Sequence, residues 1–470
     1  MTARSKKDLV FAVAFSRRSR CYYGEVCAAV VCSVVFASAV FGQGPLTLKS
    51  SIEAALANHS AISQAKASLL AAESQLKSST TSFLPAASLS GYYTRLDHDR
   101  FQETTFDLGL GPQTMIVPTM KEYQYSAGLQ VAQPLFTGGA IYYSRKQAQG
   151  GVGIAEEQLE GTKQDVALGA AQAYYSVLQA QQLLAVAEST EEAMAAHRKT
   201  AKDFYEAGVV AKVDLLQAEV RLAEAQQGLI KAKNALETAK SAFNNSLGRD
   251  ISEPVELVES HLQLPFEMSL SECTEAALSQ RPELLAMRRT VDVARFSEKI
   301  ARGAFFPQIS GIYEKNLTKK PLSWDRDEDW SVSLVASWDF WQWGKQKFDL
   351  DYTRAKTDEA HYRTSLLENN VLLEVKQSYL SVEEAQKLIS VTKRAIEQAE
   401  ENVRMSNERY AQSVTTITEV LDAEVLLVGA RMNYYVALYD YDVAVARLLR
   451  SMGSRIEDRA FADAGNTGGN

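Results

Sequence analysis

The chain has 470 residues, with 50 Lys and Arg against 58 Asp and Glu, a formal net charge of −8 and 46% hydrophobic residues. That apolar share excludes a disordered chain, and an acidic balance without Lys/Arg runs in the body speaks against a nucleic-acid partner. Ten prolines and 25 glycines favour long uninterrupted elements, and no apolar run reaches the roughly 18 residues of a membrane-spanning helix.

Residues 1–42 read as a signal peptide: a long basic portion (Arg4, Lys6, Lys7, Arg17, Arg18, Arg20) precedes an apolar stretch from Val26 to Phe41, with cleavage placed after Gly42. Cys21, Cys27 and Cys32 lie in this leader, so the exported chain keeps only Cys273. No intramolecular disulfide is expected, and stability has to come from packing or assembly. Val30 and Val31 before Cys32 make a lipid anchor an unsuitable reading.

After the leader the sequence is written twice. Glu53-Ala54-Ala55-Leu56 recurs as Glu275-Ala276-Ala277-Leu278, and Phe83-Leu84-Pro85 as Phe305-Phe306-Pro307. From Tyr125 onward the offset is 205 residues: Tyr174 matches Tyr379, Tyr205 matches Tyr410, Ala218-Glu219-Val220 matches Ala423-Glu424-Val425, and Gly248 matches Gly453. The repeats are placed at 43–250 and 251–453, and the Gly-, Ala- and Asp-rich tail 454–470 is expected to be disordered.

In the first repeat a helix is predicted over ~47–82, then a strand over ~85–97, a connecting loop from 98 to 120, and a strand over ~121–133 in which Tyr125, Ala127, Leu129 and Val131 share a face. Helices follow over ~140–206 and ~212–247. Leu215, Leu222, Leu229, Leu236 and Phe243 are each seven apart in the second of these, as are Leu159, Val166, Ala173 and Ala180 in the first. The second repeat predicts a helix over ~270–303, strands over ~307–317 and ~329–341, and helices over ~345–411 and ~417–451. In its second strand Trp330, Val332, Leu334, Ala336 and Trp338 alternate with Ser331, Ser333, Val335 and Ser337. A sustained seven-residue period implies supercoiled helix pairs. At ~1.5 Å per residue the longest helices would span roughly 100 Å.

The fold class predicted is therefore mainly α with a small β part: long coiled-coil hairpins carrying four strands per protomer. Four strands cannot close their own edges, and exposed edges invite aggregation. Three protomers would give a 12-stranded barrel, an even number allowed in outer membranes. Trp324, Trp330, Trp338, Trp341 and Trp343, with Tyr92, Tyr125 and Tyr313, then suit a membrane-interface girdle against outer-membrane lipid; a soluble sandwich with aromatic core residues is the alternative.

No catalytic constellation is found. The five histidines (His59, His98, His197, His261, His361) are scattered without metal-ligand spacing, so neither a metal site nor a cofactor is expected. Paired acids such as Glu156-Glu157 sit on heptad helices as solvated faces.

The duplication, the leader, the strand pairs and two groups of residues resemble the TolC family of outer-membrane efflux proteins over essentially all of 46–453. One group is Gln133-Pro134-Leu135-Phe136-Thr137-Gly138-Gly139. The other is the pair of hairpin tips, Phe204 to Ala218 and Arg409 to Ala423. The resemblance implies a homotrimer whose barrel continues into an α-helical periplasmic tunnel. It implies a passive exit duct for a tripartite efflux or type I secretion system, docked through a periplasmic adaptor (membrane fusion) protein to an inner-membrane RND, ABC or MFS pump. It places Gly208, Val209, Ser413 and Val414 at the adaptor contact, with Ser413 where the family usually has Gly. Glu419 and Asp422 fall at the acidic rings that narrow the family's entrance, an arrangement that favours cations. Of the family's closed-entrance bonds, Tyr410 and Asp214 are present, Tyr205 holds the matching place in the first tip, and Thr415 stands where an Arg would be. Asp214 and Glu419 also suit a helix start, where the dipole favours a carboxylate; gate and cap are both open. A soluble periplasmic coiled-coil scaffold or pump adaptor would explain the helices and leader but not the aromatic strand pairs.

Overall fold

The computed structural model describes residues 45–107, 109, 111–120, 122–259, 261, 266–319 and 326–456. The signal peptide, Trp324 and residues 457–470 of the tail lie outside them.

Two pairs of long helices dominate: α3 (Ala140–Glu206) with α4 (Lys212–Ser246), and α7 (Lys345–Ala411) with α8 (Ile417–Ser451). Small buried residues on α3, Ala167, Ala170 and Ala171, sit beside the buried Tyr174 and Tyr175. On α8, Ala444 and Ala446 do the same beside Tyr441 and Leu448. Alanine costs no side-chain entropy in a helix and lets its neighbour come close.

The segments predicted as single helices over ~47–82 and ~270–303 are each broken once. The first gives α1 (Leu48–Asn58) and α2 (Ser60–Thr81), the second α5 (Leu270–Gln280) and α6 (Pro282–Gly303). His59 and Arg281 are extended at the breaks, with ψ of 129° and 120°. Pro282 cannot continue α5 but is well suited to open α6. At the first break the His59 Nδ1 accepts from the Ala61 N–H at 3.2 Å, capping α2. Both breaks lie where another helix ends: a Cβ on Gly248, after α4, would stand 3.0 Å from the Asn58 carbonyl oxygen, and one on Gly453, after α8, 2.8 Å from the Arg281 Cα.

The main core collects around these breaks, with Ile52, Tyr174, Phe243, Leu247, Leu284, Tyr439 and Leu448 inside it. Arg450 on α8 donates to Asp165 on α3 at 2.7 Å and pairs with Glu283 on α6. Arg281 reaches Glu374 on α7 at 2.6 Å, so charge ties four helices at this level. The stretch after α4 is held by backbone bonds from Leu46 N to Glu256 O and from Val258 N to Leu46 O, and by the Tyr174 hydroxyl, which donates to the Val258 carbonyl.

His261 adds a titratable tie here. One ring nitrogen is 2.8 Å from the carboxylate of Asp442, which is 1% exposed on α8. The hydrogen bond to Asp442 raises the imidazole pKa, burial opposes the rise, and the charges of Asp442 and Glu259 add to it. A pKa raised by folding stabilises the folded state fully below the ordinary value of about 6.5, and the contribution is lost as pH climbs through the raised value. Amide exchange at Leu257 and Val258, corrected for intrinsic rates, is expected to accelerate across that interval, and the pH dependence should vanish in His261→Ala. A flat corrected profile in the parent would refute the tie.

The sheet contains β1 (Ala86–Arg95), β4 (Tyr123–Phe136), β5 (Gln308–Lys319) and β6 (Arg326–Ser337) in the antiparallel order β1-β4-β5-β6. The stretch 98–120, expected to be a loop, is instead a separate hairpin of β2 (Arg100–Asp107) and β3 (Pro112–Met120). Phe101, Thr104, Thr105 and Phe106 favour extended backbone, and Asp107 accepts from the Gly109 N–H at 2.8 Å to shape the turn.

Register sorts the sheet into two unlike faces. Leu89, Leu129, Lys315 and Trp330 lie in one cross-strand row, and Val131, Tyr313 and Val332 in another on the same face. Leu89 is 81% exposed and Leu334 72%. The opposite face carries Ser88, Gln130, Glu314, Asn316, Ser331 and Ser333, and Gln130 donates to Glu314 at 3.1 Å. Tyr92 pairs with Ser126 on this polar face, while its neighbour Tyr93 pairs with Tyr125 on the apolar one. Tyr313 lies mid-strand and half-buried, not at a strand end. Trp338, Trp341 and Trp343 follow β6 at the helix end of the sheet, and the Trp338 indole donates to the Phe305 carbonyl at 3.2 Å.

Candidate functional site

Both helix pairs turn over at the end remote from the sheet. In the first turn Gly208 takes a left-handed φ of 74°, and in the second Ser413 takes 58°. The bonds correspond: Gly208 N to Tyr205 O and Val209 N to Phe204 O in one, Ser413 N to Tyr410 O and Val414 N to Arg409 O in the other. Ser413 pays roughly 1–2 kcal/mol for a conformation that glycine adopts freely. The bonded turn therefore survives the departure from glycine. Val209 and Val414 stand exposed beside these residues, so all four tip residues present themselves at the surface.

Behind the turns lies a small core of Met194, Tyr410, Ile417, Val420 and Leu421. The first turns of α8 bury Ile417, Val420, Leu421 and Glu424, which by helical period turns Glu419 and Asp422 outward. The two carboxylates are 54% and 63% exposed. Glu419 lies in the first turn of α8 and Asp214 in the first turn of α4, positions where the helix dipole favours negative charge.

Tyr410 is buried against Phe204, ring centroids 5.6 Å apart, whereas Tyr205 is substantially exposed. The two tyrosines do not share one environment. The Tyr410 hydroxyl and the Thr415 hydroxyl are buried without a hydrogen-bond partner among the described residues. Burial first, and then the nearby charge of Asp214, push the Tyr410 phenol above its ordinary pKa. Asp214 is thus an electrostatic neighbour of Tyr410 and not its bonded partner.

Partners that the sequence did not reveal stand beside the acids. Arg409, in the last turn of α7, is 3.6 Å from Glu419. Arg221 on α4 reaches Asp422 at 3.5 Å and Glu224 at 3.0 Å. Thr418 donates to Gln217 at 2.8 Å. His197 on α3 and Glu424 on α8, both largely buried, meet at 3.1 Å. Arg221–Asp422, Thr418–Gln217 and His197–Glu424 join residues 201 or more apart, and Arg409–Glu419 spans the tip turn, so helical period carried no signal for them; Arg221–Glu224 alone is an i,i+3 pair within α4. No group of three or more His, Cys, Asp or Glu side chains suited to a metal occurs among the described residues.

Long paired helices bearing a sheet with one apolar and one polar face make this a channel-type architecture. A sequence profile of the outer membrane efflux protein family matches residues 51–249 and 274–454, and the chain belongs to that family, the TolC family of the outer membrane. It is 24% identical over 345 residues to the outer membrane protein TolC of Vibrio cholerae serotype O1, covering 71% of this chain and 77% of that protein. It is 24% identical over 335 residues to the alkaline protease secretion protein AprF of Pseudomonas aeruginosa, covering 69% and 68%. The fold is shared with the crystal structure of the Campylobacter jejuni CmeC outer membrane channel, at a TM-score of 0.74 and 15% identity over 90% of this chain and 89% of that one.

Proposed function

We propose that the chain is the protomer of a passive trimeric exit duct, which carries substrates from an inner-membrane pump across the periplasm and outer membrane in a tripartite efflux or type I secretion system. The observation that carries the reading is the sheet: an exposed apolar face, a polar face opposite, and edges at β1 and β6 with no strand partner among the described residues. A barrel built from such sheets puts the apolar face to lipid and the polar face to a water-filled lumen. Pairing β6 of one copy with β1 of the next removes both edges, and three copies of the four-stranded sheet give 12 strands. Trp330, the fifth of the twelve residues of β6, and Trp338, just beyond its end, are eight residues apart. That is about 27 Å of strand, or about 21 Å across a bilayer at a tilt near 40°.

The helices support the same closure. α3 packs between α2 and α6, while α7 packs on α5, α6 and α8 and, among the described residues, has no helix against it comparable to α2 on α3. The adjoining copy would supply it. The tips at Gly208-Val209 and Ser413-Val414 then face the inner membrane and meet a periplasmic adaptor of an RND, ABC or MFS pump. Glu419 and Asp422, with Asp214 and Tyr410 behind them, form the narrow entrance.

Extraction and conductance test this. The protein is expected in the outer-membrane fraction, released by detergent and not by salt, with the mass of a trimer. In planar bilayers Glu419→Gln/Asp422→Asn should raise its conductance. A monomer released by salt washing would fit a soluble scaffold and overturn the duct. Unchanged conductance in the double variant would remove the gate assignment alone.

A further inference from the structure

Each entrance acid has an arginine of its own chain beside it, and we infer that Arg221 and Arg409 set the ion selectivity of the entrance by cancelling the charge of the acidic rings. The inference rests on the reading above that Glu419 and Asp422 face the pore.

The placement is built into the helices. Arg409 lies in the last turn of α7, where the helix dipole favours a cation, and Glu419 in the first turn of α8, where it favours an anion. The tip turn between them is closed by the bond from Val414 N to Arg409 O at 2.9 Å, so the two backbones cannot drift apart. Arg221 is held from two sides, by Glu224 one turn along α4 and by Asp422 across on α8. The bond from Thr418 to Gln217 lies one turn nearer the tip on both helices. Its partners are 201 residues apart, the same separation as Arg221 and Asp422. Two rungs one turn apart fix how α4 faces α8, and hence where the guanidinium sits.

Both ion pairs are exposed, so each adds little to stability. Their effect on a passing ion is a different quantity. A guanidinium within 4 Å of a carboxylate screens its field at any distance large compared with that separation, whether or not the pair is tight. Three copies of Glu419 and Asp422 alone would present six negative charges; with Arg221 and Arg409 their sum is zero, leaving the Glu224 carboxylates beside them and the Asp214 carboxylates behind. Arginine does not lose its proton in the working pH range, so the cancellation is permanent. The entrance should therefore prefer cations far less than the acids alone imply.

Reversal potentials of single channels across a KCl gradient test the inference, and they report only on channels that have folded and inserted. The parent should be weakly cation-selective. In Arg221→Gln/Arg409→Gln the ratio of potassium to chloride permeability should rise roughly threefold or more as six positive charges leave the entrance. Arg221→Lys/Arg409→Lys, which keeps the charge, should match the parent. Adding Glu419→Gln/Asp422→Asn to the glutamine pair should abolish the gain. An unchanged ratio in the glutamine pair overturns the inference if the acid variant by itself shifts selectivity towards chloride, and the acid rings then stand without it. If the acid variant by itself shifts nothing, the pore-facing assignment falls and this inference with it.

Discussion

Gly138→Ala should destabilise the folded protein by about 3 kcal/mol, combining overpacking with a left-handed backbone forced on an L side chain. Gly138 has a φ of 60°, and a Cβ there would lie 2.3 Å from the Gly303 carbonyl oxygen and 2.9 Å from the Gly303 carbonyl carbon and Cα. All three are backbone atoms at the end of α6, so no rotamer change relieves the overlap. The glycine in Gln133-Pro134-Leu135-Phe136-Thr137-Gly138-Gly139 is thus a contact between the exit from β4 and the end of α6. The control is built into the chain. Trp343, 205 residues later, adopts the same left-handed conformation at φ 53° but is 86% exposed. Trp343→Gly should therefore change thermal unfolding of the detergent-solubilised protein far less, since it relieves the left-handed strain and gives up only the ring contact with Trp341, centroids 5.8 Å apart. If Gly138→Ala melts with the parent, the close approach of the two glycines is wrong.

How much of this was legible in the sequence depends on the range of the cause. The long helices were, because a seven-residue period writes their packing into local spacing: Leu236 and Phe243 on α4, and Val375 and Val382 on α7, are all buried. The breaks at His59 and Arg281 were not, although Pro282 was a local hint for the second. Their common cause is tertiary, since the ends of α4 and α8 press on the two breaks. The β2–β3 hairpin was missed because a stretch containing Pro112 and Pro118 reads as a connection, while Thr104, Thr105 and Phe106 were the signal for strand. The alternation of Trp330, Val332 and Leu334 gave one face of β6. Assigning Tyr92 to a face required the register against β4, where a shift of one residue exchanges it with Tyr93. At the tips, helical period turned Glu419 and Asp422 outward, but no spacing rule links them to Arg409 and Arg221.

The bare face of α7 yields the other large effect. Leu366, Leu373 and Leu380 are seven residues apart and 61%, 56% and 46% exposed. Val375 and Val382, two residues on from the last two of them, are buried; a step of two residues turns about 200° around a helix. α7 is therefore apolar on two opposed faces, one in the main core and one left exposed among the described residues. The corresponding residues of α3, 205 earlier, are Gly161, Leu168 and Tyr175. Gly161 is buried near Pro282 of α6, and Tyr175 is fully buried. In the proposed trimer another copy does for α7 what the second half does for α3, and a head-to-tail contact of this kind can close into a ring. At roughly 1.5–3 kcal/mol per buried leucine, burying the stripe in that proposed interface would contribute about 5–9 kcal/mol to each. Replacing all three leucines by glutamine should convert the trimer to monomer, measured as mass by light scattering in detergent, while the helical signal and its melting remain those of the isolated protomer. Val375→Gln, on the opposite face, puts a polar group in the main core and should instead lower the melting of the protomer itself. A triple variant that stays trimeric would mean that the stripe faces lumen or solvent and that the ring closes through other residues.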